Sequence, residues 1–195
     1  RRMTVGCTLH YMVTMPTSFV FQVAVAQTAH QTVCAESVTC TPASAAARSE
    51  VDNTGNRLIR VQAAPGPLTL GYQATVALAP AIDDPDALGE AAPGEVPCDV
   101  LPYLYPSRYC ESDRLARLAW QEFGQATPGY ARVAAICAWT HAQLTYVAGS
   151  TDARTSACDV VVQRAGVCRD YADLAMTLCR AVCIPARYVS GYAVG

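Results

Sequence analysis

Gly166-Val167-Cys168-Arg169-Asp170-Tyr171-Ala172-Asp173-Leu174-Ala175 is the stretch on which the reading of this sequence turns. A glycine break precedes it, and the spacing predicts a helix from Cys168 to about Val182, closed by Ile184-Pro185. Cys168 then stands in the first helical turn, where backbone N–H groups lack intrahelical partners and carry about half a positive charge. A thiolate is stabilised by that field, and the neighbouring N–H groups can receive the oxyanion of an acyl-transfer intermediate. Leu174, Ala175, Met176, Leu178, Cys179 and Val182 make the helix apolar on nearly all sides, so it is expected to be central and buried. The residues alone leave two readings open for Cys168, a nucleophile or a structural cysteine at a helix start. Cys179 and Cys183, at i and i+4, read as core filler.

Working upstream, the apolar period is 3.6 after Glu111. Ser112 is expected to cap a helix through Phe123. Thr127-Pro128 supplies a cap and a first-turn proline for a longer helix to about Tyr146, with Val133, Ile136, Cys137, Thr140 and Leu144 as its core stripe. Ser156, with Asp159 three residues on, has the spacing of a capping box for a short helix ending near Gly166. Arg187 to Val194 returns to alternation and is expected to be a strand.

The first eighty residues have period two. Val5, Cys7, Leu9, Tyr11 and Val13 alternate, then Phe19, Phe21, Val23 and Val25, then Leu68, Leu70, Tyr72, Ala74, Val76 and Leu78. Shorter strands fit near Thr32 to Thr39 and Arg57 to Val61. Met15-Pro16-Thr17-Ser18 and Asp52-Asn53-Thr54-Gly55-Asn56 are turn chemistry. Strands of this length and spacing predict an antiparallel β-sandwich over residues 1–79. Residues 80–110, rich in Pro, Gly and acid, read as a linker that partly packs on the helical part after it, and residues 111–195 form an α+β core. His10 and His30 are isolated and read as strand-surface residues.

Composition removes other classes. Fourteen basic and sixteen acidic residues give a net charge of −2 over 195 residues, too near neutral for a nucleic-acid footprint. With 52% hydrophobic and 15% charged residues the chain is the opposite of a disordered one. No apolar stretch reaches the ~20 residues of a membrane helix, so no membrane partner is expected. The ten cysteines show no C-x2-C pair and only three histidines accompany them, so neither a metal nor another cofactor is expected. Nothing in the sequence signals export, which predicts a cytoplasmic protein whose cysteines mostly serve as small buried hydrophobes. All fourteen basic residues are Arg, which reads as coding bias and leaves the chain no lysine of its own to act as an acyl acceptor.

Residues 166–175, with Cys179-Arg180-Ala181-Val182-Cys183-Ile184-Pro185-Ala186-Arg187-Tyr188-Val189-Ser190-Gly191-Tyr192, resemble the nucleophile helix and next strand of bacterial transglutaminase-like proteins, a superfamily whose members are often described as cysteine proteases. Tyr146, Thr151 and Thr155-Ser156-Ala157 are similar in the approach segment. Pro16-Thr17-Ser18-Phe19, Gln31-Thr32-Val33 and Asn56-Arg57 resemble the β-rich N-terminal domain of one branch. The resemblance implies a papain-like core with Cys168 as nucleophile and a His and an Asp on strands that come after it. Those partners would lie beyond Gly195, so the core is expected to be truncated at its C-terminus. His141, mid-helix, is expected to be structural. Asp173 stands where many relatives carry His, and neither it nor Asp170 is expected to replace the base; Asp170 is expected to cap its helix or pair with an Arg.

Two functions are open to such a chain. In one, Cys168 attacks a glutamine or peptide carbonyl of a protein or peptide partner and forms a thioester, later released to water or an amine. Without its base, this chain is then expected to carry a reactive thiol with little turnover. In the other, it is a non-catalytic binding or scaffolding module with a degenerate core.

Overall fold

Alternation in the N-terminal part becomes two antiparallel three-stranded sheets around one core. The structure, a computed structural model, describes residues 1–43, 47–52, 55–80 and 83–192. One sheet has the order β1 (Arg2–Val13), β6 (Gly66–Leu78), β3 (Gln31–Thr41), and the other β2 (Thr17–Phe21), β5 (Arg57–Ala63), β4 (Ala47–Val51). β1 and β6 pair without a break from Arg2↔Ala77 to Val13↔Gly66, whereas β3 bulges between Val33 and Ala35. The central strands supply the core: Leu68, Leu70, Tyr72, Ala74 and Val76 from β6 and Ile59, Val61 and Ala63 from β5 are buried, joined by Phe21 and Val13. Both central strands thus carry out the period-two rule, one face inward and one outward.

Where polar groups enter this core they are paired. Arg57 bridges Glu36 and donates to the Val25 carbonyl at 3.0 Å, and the Tyr72 hydroxyl donates to Glu36 at 3.1 Å. Arg57, ahead of the opposing effect of burial, holds the Glu36 carboxyl below its ordinary value.

The strands differ in places from expectation. β2 stops at Phe21, short of Val25, and β4 has no alternating signature. The turn after β4 holds through Gly55 N–H to the Asp52 carbonyl, with Asn53 and Thr54 outside the described residues. Arg187 to Tyr192 forms no strand, since no neighbouring strand supplies a ladder among the described residues; Val194 lies outside them. Instead Tyr192 packs with the sandwich residues, its ring stacked near Tyr72 and its hydroxyl donating to the Val23 carbonyl at 2.7 Å.

The second compact unit spans Asp83–Val189. Its helices are α1 (Ser112–Phe123), α2 (Tyr130–Gln143), α3 (Ala157–Gln163) and α4 (Cys168–Ala181). A two-stranded parallel pair, β7 (Thr145–Tyr146) and β8 (Ala165–Gly166), precedes α4. α1, α2 and α3 all pack on α4, and Ala119, Phe123, Ile136, Leu144, Val160, Leu174, Leu178 and Val182 close the core between them. The proline-rich segment after Asp83 forms three short 3-10 turns, of which Pro85–Ala87 packs on α2 and Leu101–Leu104 on α4. Glu90 accepts from the buried Arg132 at 2.9 Å and from the Gly129 N–H at 3.0 Å, and Tyr103 O accepts from Ala186 N–H at 3.1 Å.

Both expected helix starts shift. Ser112 is buried inside α1, and Glu111 is the flanking residue. α2 begins at Tyr130 because Gly129 turns at φ 88°, where a Cβ would lie 2.3 Å from the Leu88 carbonyl oxygen. It ends at Gln143 because Thr145 and Tyr146 leave to pair with Ala165 and Gly166. Cys137 is exposed and outside the core stripe, which runs through Arg132, Ile136 and Thr140. Cys183 is exposed too, in the left-handed region at φ 66° just past the end of α4. Only Cys110 and Cys179 are buried, so the expectation that most of the cysteines fill the core is corrected.

Leu178 is fully buried on α4. Leu178→Ala is expected to lose about 2–5 kcal/mol of stability by chemical denaturation, the range for a core leucine that leaves a cavity.

Candidate functional site

The loop between β7 and α3 and the first turn of α4 are built against each other. Cys168 opens α4 and is exposed, while Asp170, Asp173 and Leu174 of the same helix are buried as it enters the core. Val167 is the flanking residue, in extended conformation at φ −110°, ψ 179°. A valine side chain cannot cap a helix, so the capping comes from Asp170, whose Oδ2 accepts the Val167 N–H at 2.7 Å. The third N–H, of Asp170, is taken by the Val167 carbonyl at 2.8 Å. The N–H groups of Cys168 and Arg169 have no acceptor among the described residues. They are the two unsatisfied donors that a helix start leaves beside its first side chain.

Asp170 is 1% exposed, and every one of its partners is a donor. Thr151 Oγ1 donates to Oδ2 at 2.6 Å, and Arg169 donates to Oδ1 through Nη2 at 3.1 Å. The same Arg169 Nη2 reaches the Thr151 hydroxyl and the Asp152 carbonyl, each at 3.0 Å. Burial alone would push the Asp170 carboxyl up, but Thr151, the Val167 N–H and Arg169 together outweigh it and hold the group below its ordinary value. Gly166 is required here: a Cβ would fall 2.7 Å from the Asp170 Cβ. The adjoining α3 starts by the expected capping box, with Asp159 accepting from the Ser156 N–H at 2.9 Å.

Asp173, one turn deeper, has the opposite environment. Burial pushes its carboxyl up and Asp170 adds to this, against Arg169 and Arg180. Tyr188 is raised by burial first and then by Asp173 and Cys168, which places it within electrostatic reach of the thiol. His141 lies against Tyr171, ring centroids 6.4 Å apart, and Tyr171 anchors to the Leu144 carbonyl at 2.9 Å. His10 is on β1, bonded to Thr69 at 3.1 Å, and His30 precedes β3, both in the other compact unit. The structure thus brings Cys168, Asp170 and Asp173 together on one helix, and adds Thr151, Arg169 and Tyr188. Thr151 and Tyr188 carry no local signal of a role, since each reaches the site through the path of the chain. No group of three or more His, Cys, Asp or Glu suited to a metal occurs among the described residues.

Comparison with known proteins agrees with this fold. Residues 117–195 match the transglutaminase-like superfamily and residues 2–95 match the bacterial transglutaminase N-terminal domain. The crystal structure of a "Putative Cysteine Protease" from Cytophaga hutchinsonii superposes with a TM-score of 0.87 at 36% identity, over 94% of this chain and 64% of that one. An uncharacterized protein of Mycobacterium leprae is 42% identical over 60 residues, 31% of this chain and 22% of that protein. The chain therefore spans less than two thirds of either relative.

The two aspartates give opposite expectations. A carboxyl held low in the fold stabilises it above the unfolded value of ~3.9, and that stability is lost as pH falls through the lower folded value. Asp170→Asn is therefore expected to cost about 1.5–3 kcal/mol at pH 7 and to flatten the acid limb of a stability–pH curve. A carboxyl held high destabilises the fold as pH rises from ~3.9 through its folded value, so Asp173→Asn is expected to be neutral or stabilising at pH 7. Gly166→Ala is expected to cost about 1–3 kcal/mol from the forced contact with Asp170. Thermal and urea melts between pH 3 and 8 check all three.

Proposed function

The chain belongs to the transglutaminase-like superfamily, and on that premise we propose that it carries the thiol nucleophile of an enzyme acting on amide bonds. The observation that carries the proposal is the placing of Cys168: an exposed thiol on the first residue of a buried helix, beside two N–H groups with no acceptor among the described residues. In the proposed reaction the Cys168 sulfur adds to a glutamine or peptide carbonyl of a protein or peptide substrate, and the Cys168 and Arg169 N–H groups receive the oxyanion. Collapse of that intermediate expels the amine and leaves a thioester, which water or an acceptor amine releases. Protease, amidase and acyl transferase share this first half.

An amine leaves only if it is protonated, and the resulting thioester is opened fastest by a nucleophile that a base has deprotonated. Neither His10 nor His30 is on this unit, and His141 faces Tyr171. The 195-residue chain is accordingly proposed to acylate readily when its leaving group needs no proton, and to turn over slowly. A cytoplasmic setting, with all ten cysteines as free thiols, belongs to the same proposal.

An aryl ester separates the two halves, because nitrophenolate departs without a proton. Incubation with p-nitrophenyl acetate is expected to give a burst of one equivalent of nitrophenolate, the acetyl group found on Cys168 by peptide mass spectrometry, and slow release afterwards. Cys168→Ala is expected to remove the burst. An acetyl label spread evenly over the exposed thiols would sink the enzyme reading in favour of a binding module.

A further inference from the structure

We propose that Thr151 is a positioning residue for Cys168, acting through a clasp of Thr151, Arg169 and Asp170 that holds the loop before α3 and the first turn of α4 as one piece. The inference rests on the reading of Cys168 as nucleophile and adds a residue to it. The Thr151 hydroxyl is used twice: it donates to Asp170 Oδ2 at 2.6 Å and accepts from Arg169 Nη2 at 3.0 Å. Asp170 Oδ2 is also the acceptor of the Val167 N–H at 2.7 Å, the bond that caps the helix beginning at Cys168. One hydroxyl therefore sits between the loop and the cap. Arg169 closes the ring, reaching Asp170 Oδ1 at 3.1 Å and the Asp152 carbonyl at 3.0 Å.

The consequence reaches the thiol through geometry. The free N–H groups of Cys168 and Arg169 act on the sulfur and on an oxyanion only while the turn that carries them is ordered, because the field of a helix end is confined to its first turn. Without the Thr151 hydroxyl, Asp170 keeps its Val167 and Arg169 contacts. It loses a short charge-assisted bond, and Arg169 loses one of its acceptors. The turn then loosens although no charged side chain has been replaced. The side-chain bonds of Asp170 go to Thr151, Val167 and Arg169, and Thr151 acts through it.

The test compares Thr151→Val, which keeps the shape and removes the hydroxyl, with Thr151→Ser, which restores it. Limiting iodoacetamide is applied to the whole chain and the rate at Cys168 is read against that at Cys137, an exposed thiol in the middle of α2. Thr151→Val is expected to slow Cys168 about 3- to 10-fold relative to Cys137, less than the full value of one charge-assisted bond because Asp170 keeps its other donors. Hydrogen exchange is expected to rise together over residues 148–156 and 167–170, and Thr151→Ser to restore both readings. Should Thr151→Val fail to fold, Thr151→Ala carries the same comparison. An unchanged Cys168:Cys137 ratio with raised loop exchange would reduce Thr151 to a structural anchor and overturn the inference. If Cys168 in the unaltered chain labels no faster than Cys137, it is the nucleophile reading that fails.

Discussion

A carboxylate with 1% of its surface exposed has to be fully bonded or it will not stay charged, and this constraint on Asp170 organises the second unit. Meeting it takes three separate pieces of chain: the hydroxyl of Thr151 from the loop, the N–H of Val167 from the approach to α4, and the guanidinium of Arg169 from the helix itself. Each donor fixes its own segment. The loop cannot move without exposing Asp170, and α4 cannot start elsewhere without losing its cap. Gly166 follows from the same constraint, since only a residue without Cβ fits beside the Asp170 side chain. The β7–β8 pair then places Gly166 opposite Tyr146, and the Val147 N–H donates to the Gly166 carbonyl at 3.0 Å. A single buried charge thus ties together the elements on which Cys168 stands.

Three residues along, Asp173 shows what the same carboxyl becomes without such donors. Its side chain is nearly as buried, yet burial prevails over Arg169 and Arg180 and pushes its carboxyl up. The two groups lie within a turn of each other and feel the same Arg169, but only Asp170 accepts from the Thr151 hydroxyl and the Val167 N–H. The structural role thus belongs to Asp170, while Asp173 is tolerated at a cost on a helix whose other inward residues are mostly apolar.

What the sequence discloses and what it hides divide by distance along the chain. The start of α4 at Cys168 is legible from a glycine break and an apolar run, and the α3 cap from Ser156 and Asp159 three residues apart, because each is decided within one turn of helix. The sandwich strands are legible where they alternate, as in β1 and β6, and not in β4, whose Ala47–Val51 has no apolar period. Cys137 is misplaced by phase: α2 starts after Gly129, so Arg132, Ile136 and Thr140 face inward and a neighbour at 137 does not. The Thr151–Asp170 bond joins residues nineteen apart through a loop. No periodicity encodes such a contact, and it exists only once β7, α3 and β8 have set the path between them.

Burial also sorts the ten thiols. Those of Cys40, Cys110, Cys158 and Cys179 are all pushed up chiefly by loss of solvent, Cys158 to about 11 and Cys179 to about 12. These thiols stay protonated and inert at neutral pH. Cys7 is half-buried in the middle of a strand, its sulfur against the Tyr192 hydroxyl. The exposed cysteines are Cys34, Cys98, Cys137, Cys168 and Cys183. Of these, Cys34 is in the bulge of a strand, Cys137 is in mid-helix, Cys98 is in the proline-rich segment and Cys183 comes after a helix C-terminus. A C-terminal position presents carbonyl oxygens, which repel a thiolate, and a mid-helix position presents no free N–H at all. Cys168 alone combines exposure with a helix start, and α4 can hold that start rigid because its other end is locked in the core through Leu174, Leu178 and Val182. Its environment therefore differs from the rest: nine thiols are each denied either full solvent or the donors of a helix start, and one is denied neither.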